Sequence, residues 1–184
     1  PPGLAFVSVS GKAWKMADAE KTHKFYFNFK KERENLAKNQ TTWTSAVSLI
    51  IGLNASIKML QDEGLENVFK RHERLAKATR AAAAALNLAL YPKENPSLSL
   101  TAIEAPAGVD GQAIYKDLRV KYGITGAGGQ DKLKGKIFRI AHLGYADTFD
   151  AITAIAGIEM VLKGLGHPVK LGTGVGAAQE ILMK

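Results

Sequence analysis

The 184-residue chain has no cysteine. Disulfides, thiolate nucleophiles and thiolate-held metal or iron–sulfur centres are therefore excluded, and nothing argues for an oxidising compartment. Long apolar runs are missing as well. No stretch approaches the roughly 18 residues of a membrane helix, and no signal-peptide pattern occurs. Histidine is scarce, and His23, His72, His142 and His167 lie too far apart for metal-ligand spacing. Acidic residues are outnumbered, 17 against 25 basic, which leaves a net charge of +8. Such a balance raises a nucleic-acid reading. The charges are dispersed, however, and no basic run is interleaved with stacking aromatics. They read as solvated surface, with an excess that also suits anionic substrates and cofactors.

Several phosphate and nucleophile motifs are absent or fail their context. No Gly-x-Ser-x-Gly elbow is present. Gly129 and Gly135-Lys136 imitate a phosphate loop, but the spacing is one residue too long and Ile137 stands where Ser or Thr is needed. Gly172-Thr-Gly-Val-Gly176 imitates a dinucleotide fingerprint, but too few residues follow for the crossover unit. It reads as a flexible turn before a short terminal helix. Asn39-Gln-Thr and Asn54-Ala-Ser match the glycosylation pattern by chance.

What is present is a globular composition, 46% apolar and 23% charged, enough for one or two small domains. The most informative stretch is 134–162. After Gly135, Ile137, Phe138, Ile140 and Ala141 form an apolar run too short for a helix, which predicts a buried strand. Arg139 lies in its middle. A guanidinium there is costly to desolvate unless it meets an anion, either an internal Asp or Glu or a ligand carboxylate or phosphate. Gly144 ends the strand, and Asp147 or Thr148 caps a helix that stops at Gly164.

Taken in order, Leu4–Ser10 reads as a strand, 11–24 as a charged helix, and Phe25-Tyr-Phe-Asn-Phe29 as an extended segment with its phenylalanines on one face. The hydroxyl cluster Thr41-Thr42-Trp43-Thr44-Ser45 precedes an apolar helix over 45–62. It is either an N-cap or a phosphate site, since both use free groups at a helix start. A second helix of about twenty residues follows Gly64, with Leu65, Val68, Phe69, Leu75, Ala76, Ala82, Ala83 and Leu86 on one stripe. A strand over 98–106, a helix over 111–122 capped by Asp110, a short strand at 124–125, the Arg139 strand and the last long helix complete an α+β layer.

Gly126-Ala-Gly-Gly, then Lys134-Gly-Lys, then Arg139-Ile-Ala-His-Leu-Gly, in order after the Thr44 cluster, resemble the C-terminal part of class V pyridoxal-phosphate aminotransferases of the alanine–glyoxylate and serine–pyruvate type. The resemblance implies an α+β fold: the small C-terminal domain of a fold-type I transferase, the last elements of the large domain, and the long connecting helix. The domains would be a large-domain remnant (1–44), connecting helices (45–87), the small domain (88–165) and a tail with a short helix (166–184). Arg139 would bind the substrate α-carboxylate, with Ala141 replacing the family's glycine. Thr44, helped by Thr41, would reach the phosphate of pyridoxal 5'-phosphate across a homodimer. In the family Pro-Pro-Gly follows the Ser-x-Lys whose lysine holds the cofactor as a Schiff base, so that catalytic lysine is expected upstream of Pro1, and the chain alone is expected to be inactive. Substrates would be a small amino acid (alanine or serine) and a 2-oxo acid (glyoxylate or pyruvate), in the cytoplasm, with no metal, nucleic acid or membrane involved. Some relatives carry the label of a soluble hydrogenase subunit. The alternatives are a non-catalytic dimerisation module, a nucleic-acid binder, or another fold-type I enzyme such as a cysteine desulfurase or phosphoserine aminotransferase.

Overall fold

The computed structural model describes residues 3–184; Pro1 and Pro2, and what the sequence suggested for them, lie outside the described residues. The chain divides into two compact units, Pro1–Asp62 and Glu63–Lys184.

In the first unit, helix α1 (Gly11–Ala19) is capped by Ser10, whose hydroxyl accepts the Ala13 N–H at 3.2 Å. Helix α2 (Phe29–Leu36) is capped by Asn28, which accepts from Lys31 N–H. Neither Leu4–Ser10 nor Phe25–Asn28 forms a strand, and Phe29 opens a helix. The alternation of the phenylalanines is thus not a strand signal. A strand needs a neighbouring ladder, and a local side-chain cap at Asn28 competes with it. The aromatics gather on Trp43 instead: Tyr26 stacks on it at 4.9 Å between ring centroids, Phe25 lies at 5.3 Å, and Trp43 Nε1 donates to the Tyr26 carbonyl. Helix α3 (Val47–Glu63) follows. Its first turn closes on the Ala46 carbonyl, so the hydroxyl cluster lies ahead of the cap position. Helices α1, α2 and α3 contain no fully buried residue.

The second unit opens where Gly64, at φ +82°, breaks the helix. Helix α4 (Leu65–Ala85) buries Val68, Leu75, Ala76, Ala82 and Ala83 as its stripe predicts, whereas Leu65 and Phe69 stay exposed. Strand β1 (Leu100–Glu104), helix α5 (Gly111–Tyr122), strand β2 (Ala127–Gly128), strand β3 (Ile137–Ala141), helix α6 (Thr148–Gly164) and helix α7 (Thr173–Leu182) complete it. The antiparallel sheet has the order β1-β3-β2, pairing Ala102 with Arg139 and Ile103 with Phe138. Side chains alternate across a strand, so Ile103, Phe138 and Ile140 face the helices. There they meet Ile114 and Leu118 of α5 and Ile158 and Leu162 of α6. Fully burying Phe138 contributes about 2–3 kcal/mol. A second cluster joins Leu75, Ala78 and Ala82 of α4 to Ile155, Ala178 and Leu182.

Two further elements, both in the second unit, differ from expectation. The short strand falls at 127–128 because Ile124 still belongs to the end of α5: Gly123 is left-handed, and Ile124 N–H returns to the Leu118 carbonyl at 3.0 Å. Gly172–Gly176 is no flexible turn but the start of α7. The carboxylate of Glu159, itself buried, accepts the N–H groups of Gly172 and Gly174 at 2.6 Å and of Val175 at 3.2 Å. Among the described residues no helix is long and apolar enough to cross a membrane.

Candidate functional site

The sheet has one face covered by helices and one that carries Arg139. The side chains of Leu100, Ala102, Ala127, Ile137 and Ala141 share that second face with it. The guanidinium sits between two open depressions. One, of about 250 Å³, is walled by Leu100, Thr125, Gly126, Ala127 and Ala141. The other, of about 400 Å³, is walled by Ile137 and the Gly129–Leu133 turn. Arg139 is half-buried, and its Nε donates to the Gly128 carbonyl at 3.0 Å. Among the described residues no carboxylate pairs with it, although Asp131 lines the second depression. The internal ion pair, one of the two readings the sequence left open, is absent.

A second arginine shows what a saturated guanidinium looks like. Arg71 Nε and Nη2 donate to the Glu63 carboxylate at 2.6 and 2.8 Å, and Nη1 donates to the carbonyls of Gly144 and Ala146. The Glu63 partner holds the Arg71 pKa above the usual value and Glu63 below its own. Every donor group of Arg71 is engaged: Nε and Nη2 hold Glu63, and Nη1 ties the loop after β3 to α4. Arg139 has engaged only one.

Just past Arg139, His142 is buried and its Nε2 lies 3.0 Å from Thr101 Oγ1. Burial, followed by the Arg80 charge, lowers its pKa to about 4. An apolar strand followed by histidine was visible in the sequence, but nothing there named Thr101 as its partner.

The two threonines lie in the other unit, and both are exposed. Thr41 Oγ1 donates to the Trp43 carbonyl at 2.6 Å. Thr44 makes no side-chain hydrogen bond among the described residues, and neither occupies the cap of α3. The described residues contain no cluster of three or more potential metal ligands.

A small antiparallel sheet with helices on one face, preceded by a long helix, is the arrangement of the smaller domain in fold-type I pyridoxal-phosphate enzymes. The chain superposes on ureidoglycine–glyoxylate aminotransferase of Bacillus subtilis over 79% of its own length and 37% of that chain, with a TM-score of 0.72 at 28% identity. No family model matches. In sequence the chain is 46% identical over 184 residues to the small subunit of a soluble hydrogenase from Synechococcus sp. strain PCC 6716, covering 99% of this chain and 48% of that one. It is 41% identical over 182 residues to L-aspartate–glyoxylate aminotransferase of Paracoccus denitrificans, covering 98% and 46% respectively. The homologues of this chain are class V aminotransferases, of which it matches a C-terminal part. It spans about half the length of the curated relatives it matches.

Proposed function

We propose that the chain forms the substrate-carboxylate side of a pyridoxal-phosphate-dependent aminotransferase. The whole enzyme moves an amino group between a small amino acid, alanine or serine, and a 2-oxo acid, glyoxylate or pyruvate. The observation that carries this is Arg139: a half-buried guanidinium on a small-walled sheet face, with no acid paired to it among the described residues. Both substrate classes carry one carboxylate beside the reacting carbon, and an arginine fork binds it by charge-assisted hydrogen bonds. Gly126, Ala127 and Ala141 are the small walls of the depression, beside Leu100 and Thr125. They exclude little volume, but they lower the local dielectric and strengthen that contact.

Pyridoxal phosphate, when bound, supplies the electron sink that makes the substrate's α-proton removable. Its phosphate needs donors, and the free Thr44 hydroxyl fits that need. Thr41 fits it less well, because its proton already goes to Trp43. The reading gives Thr44 the phosphate of the partner subunit in a homodimer and places the cofactor-bearing lysine outside these 184 residues.

In the full-length enzyme, Arg139→Ala should raise KM for both the amino donor and the 2-oxo acid about 30- to 5,000-fold, since stripping a buried charge pair of one partner costs about 2–5 kcal/mol. Unchanged KM for both substrates would sink the proposal.

A further inference from the structure

A guanidinium offers two edges that can hold a carboxylate by paired hydrogen bonds: the end-on edge of Nη1 and Nη2, and the side-on edge of Nε and one Nη. In Arg139 the second edge is closed, because Nε–H is held by the Gly128 carbonyl at 3.0 Å. That carbonyl is available for a specific reason. β2 is an edge strand, and Gly129 N–H turns inward to the Ile137 carbonyl. By the alternation of an antiparallel ladder, the peptide groups of Gly128 turn outward, away from β3. Edge carbonyls lack a ladder partner, and Arg139 supplies one.

The position of that carbonyl is fixed from behind. Ala127 lies opposite Arg139 and Gly128 opposite Phe138, so the missing side chain of Gly128 points to the helix side of the sheet. There α5 presents Tyr115. A Cβ on Gly128 would lie 3.0 Å from Tyr115 Cδ1 and 3.2 Å from Cζ, and nearer still to Cε1. A side chain at 128 would therefore force either the Tyr115 ring or β2 to shift.

We propose that Gly128, backed by Tyr115, is a positioning residue for Arg139: its carbonyl captures Nε–H and leaves the end-on edge of the guanidinium as the only bidentate edge for the substrate carboxylate. This rests on the carboxylate reading above and adds the orientation of the fork to it. A lysine at 139 would lack both the Nε tether and the fork.

The test is an NMR titration of the 184-residue chain with sodium pyruvate, following the Nε–Hε signal of Arg139 and the methyl signals of Leu118 and Ile140. In the parent chain Nε–Hε should stay protected from solvent exchange as pyruvate saturates. Loss of that protection on binding overturns the proposal without any variant. Gly128→Ala should shift Nε–Hε and weaken pyruvate binding about tenfold, the weight of one hydrogen bond to a charged group. Gly128→Ala combined with Tyr115→Ala makes room for the added methyl and should recover most of the affinity; no recovery removes Tyr115 from the assignment. If Arg139→Ala abolishes binding while Gly128→Ala changes neither affinity nor signal, the positioning role is wrong and the carboxylate reading stands. If Arg139→Ala binds pyruvate as the parent does, the carboxylate reading itself falls.

Discussion

Thr101 Oγ1 and His142 Nε2 lie 3.0 Å apart, both buried, and join β1 to the chain leaving β3. The backbone reinforces the join: His142 N–H donates to the Ser99 carbonyl at 3.1 Å. The charged groups that face the imidazole come from α4, namely Arg80, which donates to the Ser97 carbonyl, and His72. A proton on His142 would therefore enter a buried site already under the Arg80 charge.

The stability of this unit should fall in mild acid. The His142 pKa is lowered from 6.5 to about 4, first by burial and then by Arg80. Between those values the unfolded chain binds a proton that the folded chain refuses, so stability is lost as pH falls from 6.5 and levels off below 4. The contribution is about 3 kcal/mol at one tenfold per pH unit. Denaturant unfolding of the parent and His142→Gln across pH 4–7 checks it. Equal slopes in the two proteins would remove His142 as the cause.

Glu159 should be the most sensitive polar residue of the helical layer. Its carboxylate takes amides at the start of α7 that no other group meets, and a hydrogen bond to a charged group contributes about 1.5–3 kcal/mol. Glu159→Ala should cost about 3 kcal/mol or more, and Glu159→Gln less. Amide exchange should quicken first at Gly174 and Val175. Exchange at those positions that is unaltered in Glu159→Ala would show that α7 holds its start without the carboxylate.

Cofactor retention should depend on Thr44 more than on Thr41. In the full-length enzyme, Thr44→Ala should raise the cofactor Kd about tenfold, as for one lost hydrogen bond to a charged group. Thr41→Ala should have the smaller effect, because its hydroxyl already serves Trp43. Equal retention in the parent and Thr44→Ala would leave the hydroxyl without a phosphate to bind.

The sequence was most legible where stop signals coincide with apolar periodicity. Gly64 separates α3 from α4, Asp110 and Gly123 bracket α5, and Asp147 begins α6 with a capping box completed by Asp150. Arg139 stood out because a charge inside an apolar run is rare. What stayed hidden depends on partners distant in sequence. The phenylalanine alternation at 25–29 followed the strand period, but a strand exists only beside another, and a local cap took Phe29 into α2. The glycines of α7 read as flexible because the carboxylate that orders them lies on another helix. Glu159 amid Ile155, Ile158 and Leu162 was the available clue, an acid on an apolar stripe. Gly128 stood in the Gly126–Gly129 stretch, but nothing in the spacing placed its carbonyl on Arg139 or Tyr115 behind it, because strand register makes those contacts.

Helices α4 and α7 meet through small residues: Ala78 and Ala82 on one side, Gly174 and Ala178 on the other, with Gly174 leaving too little room for a Cβ beside Leu86. That seam sets a ceiling on volume. Under random drift the exposed faces of α3 can exchange side chains of many sizes, but at the seam almost any substitution enlarges, and enlargement in a packed interior costs about 1–3 kcal/mol. The latitude for change in this chain is thus unevenly spread, narrowest where its side chains are smallest.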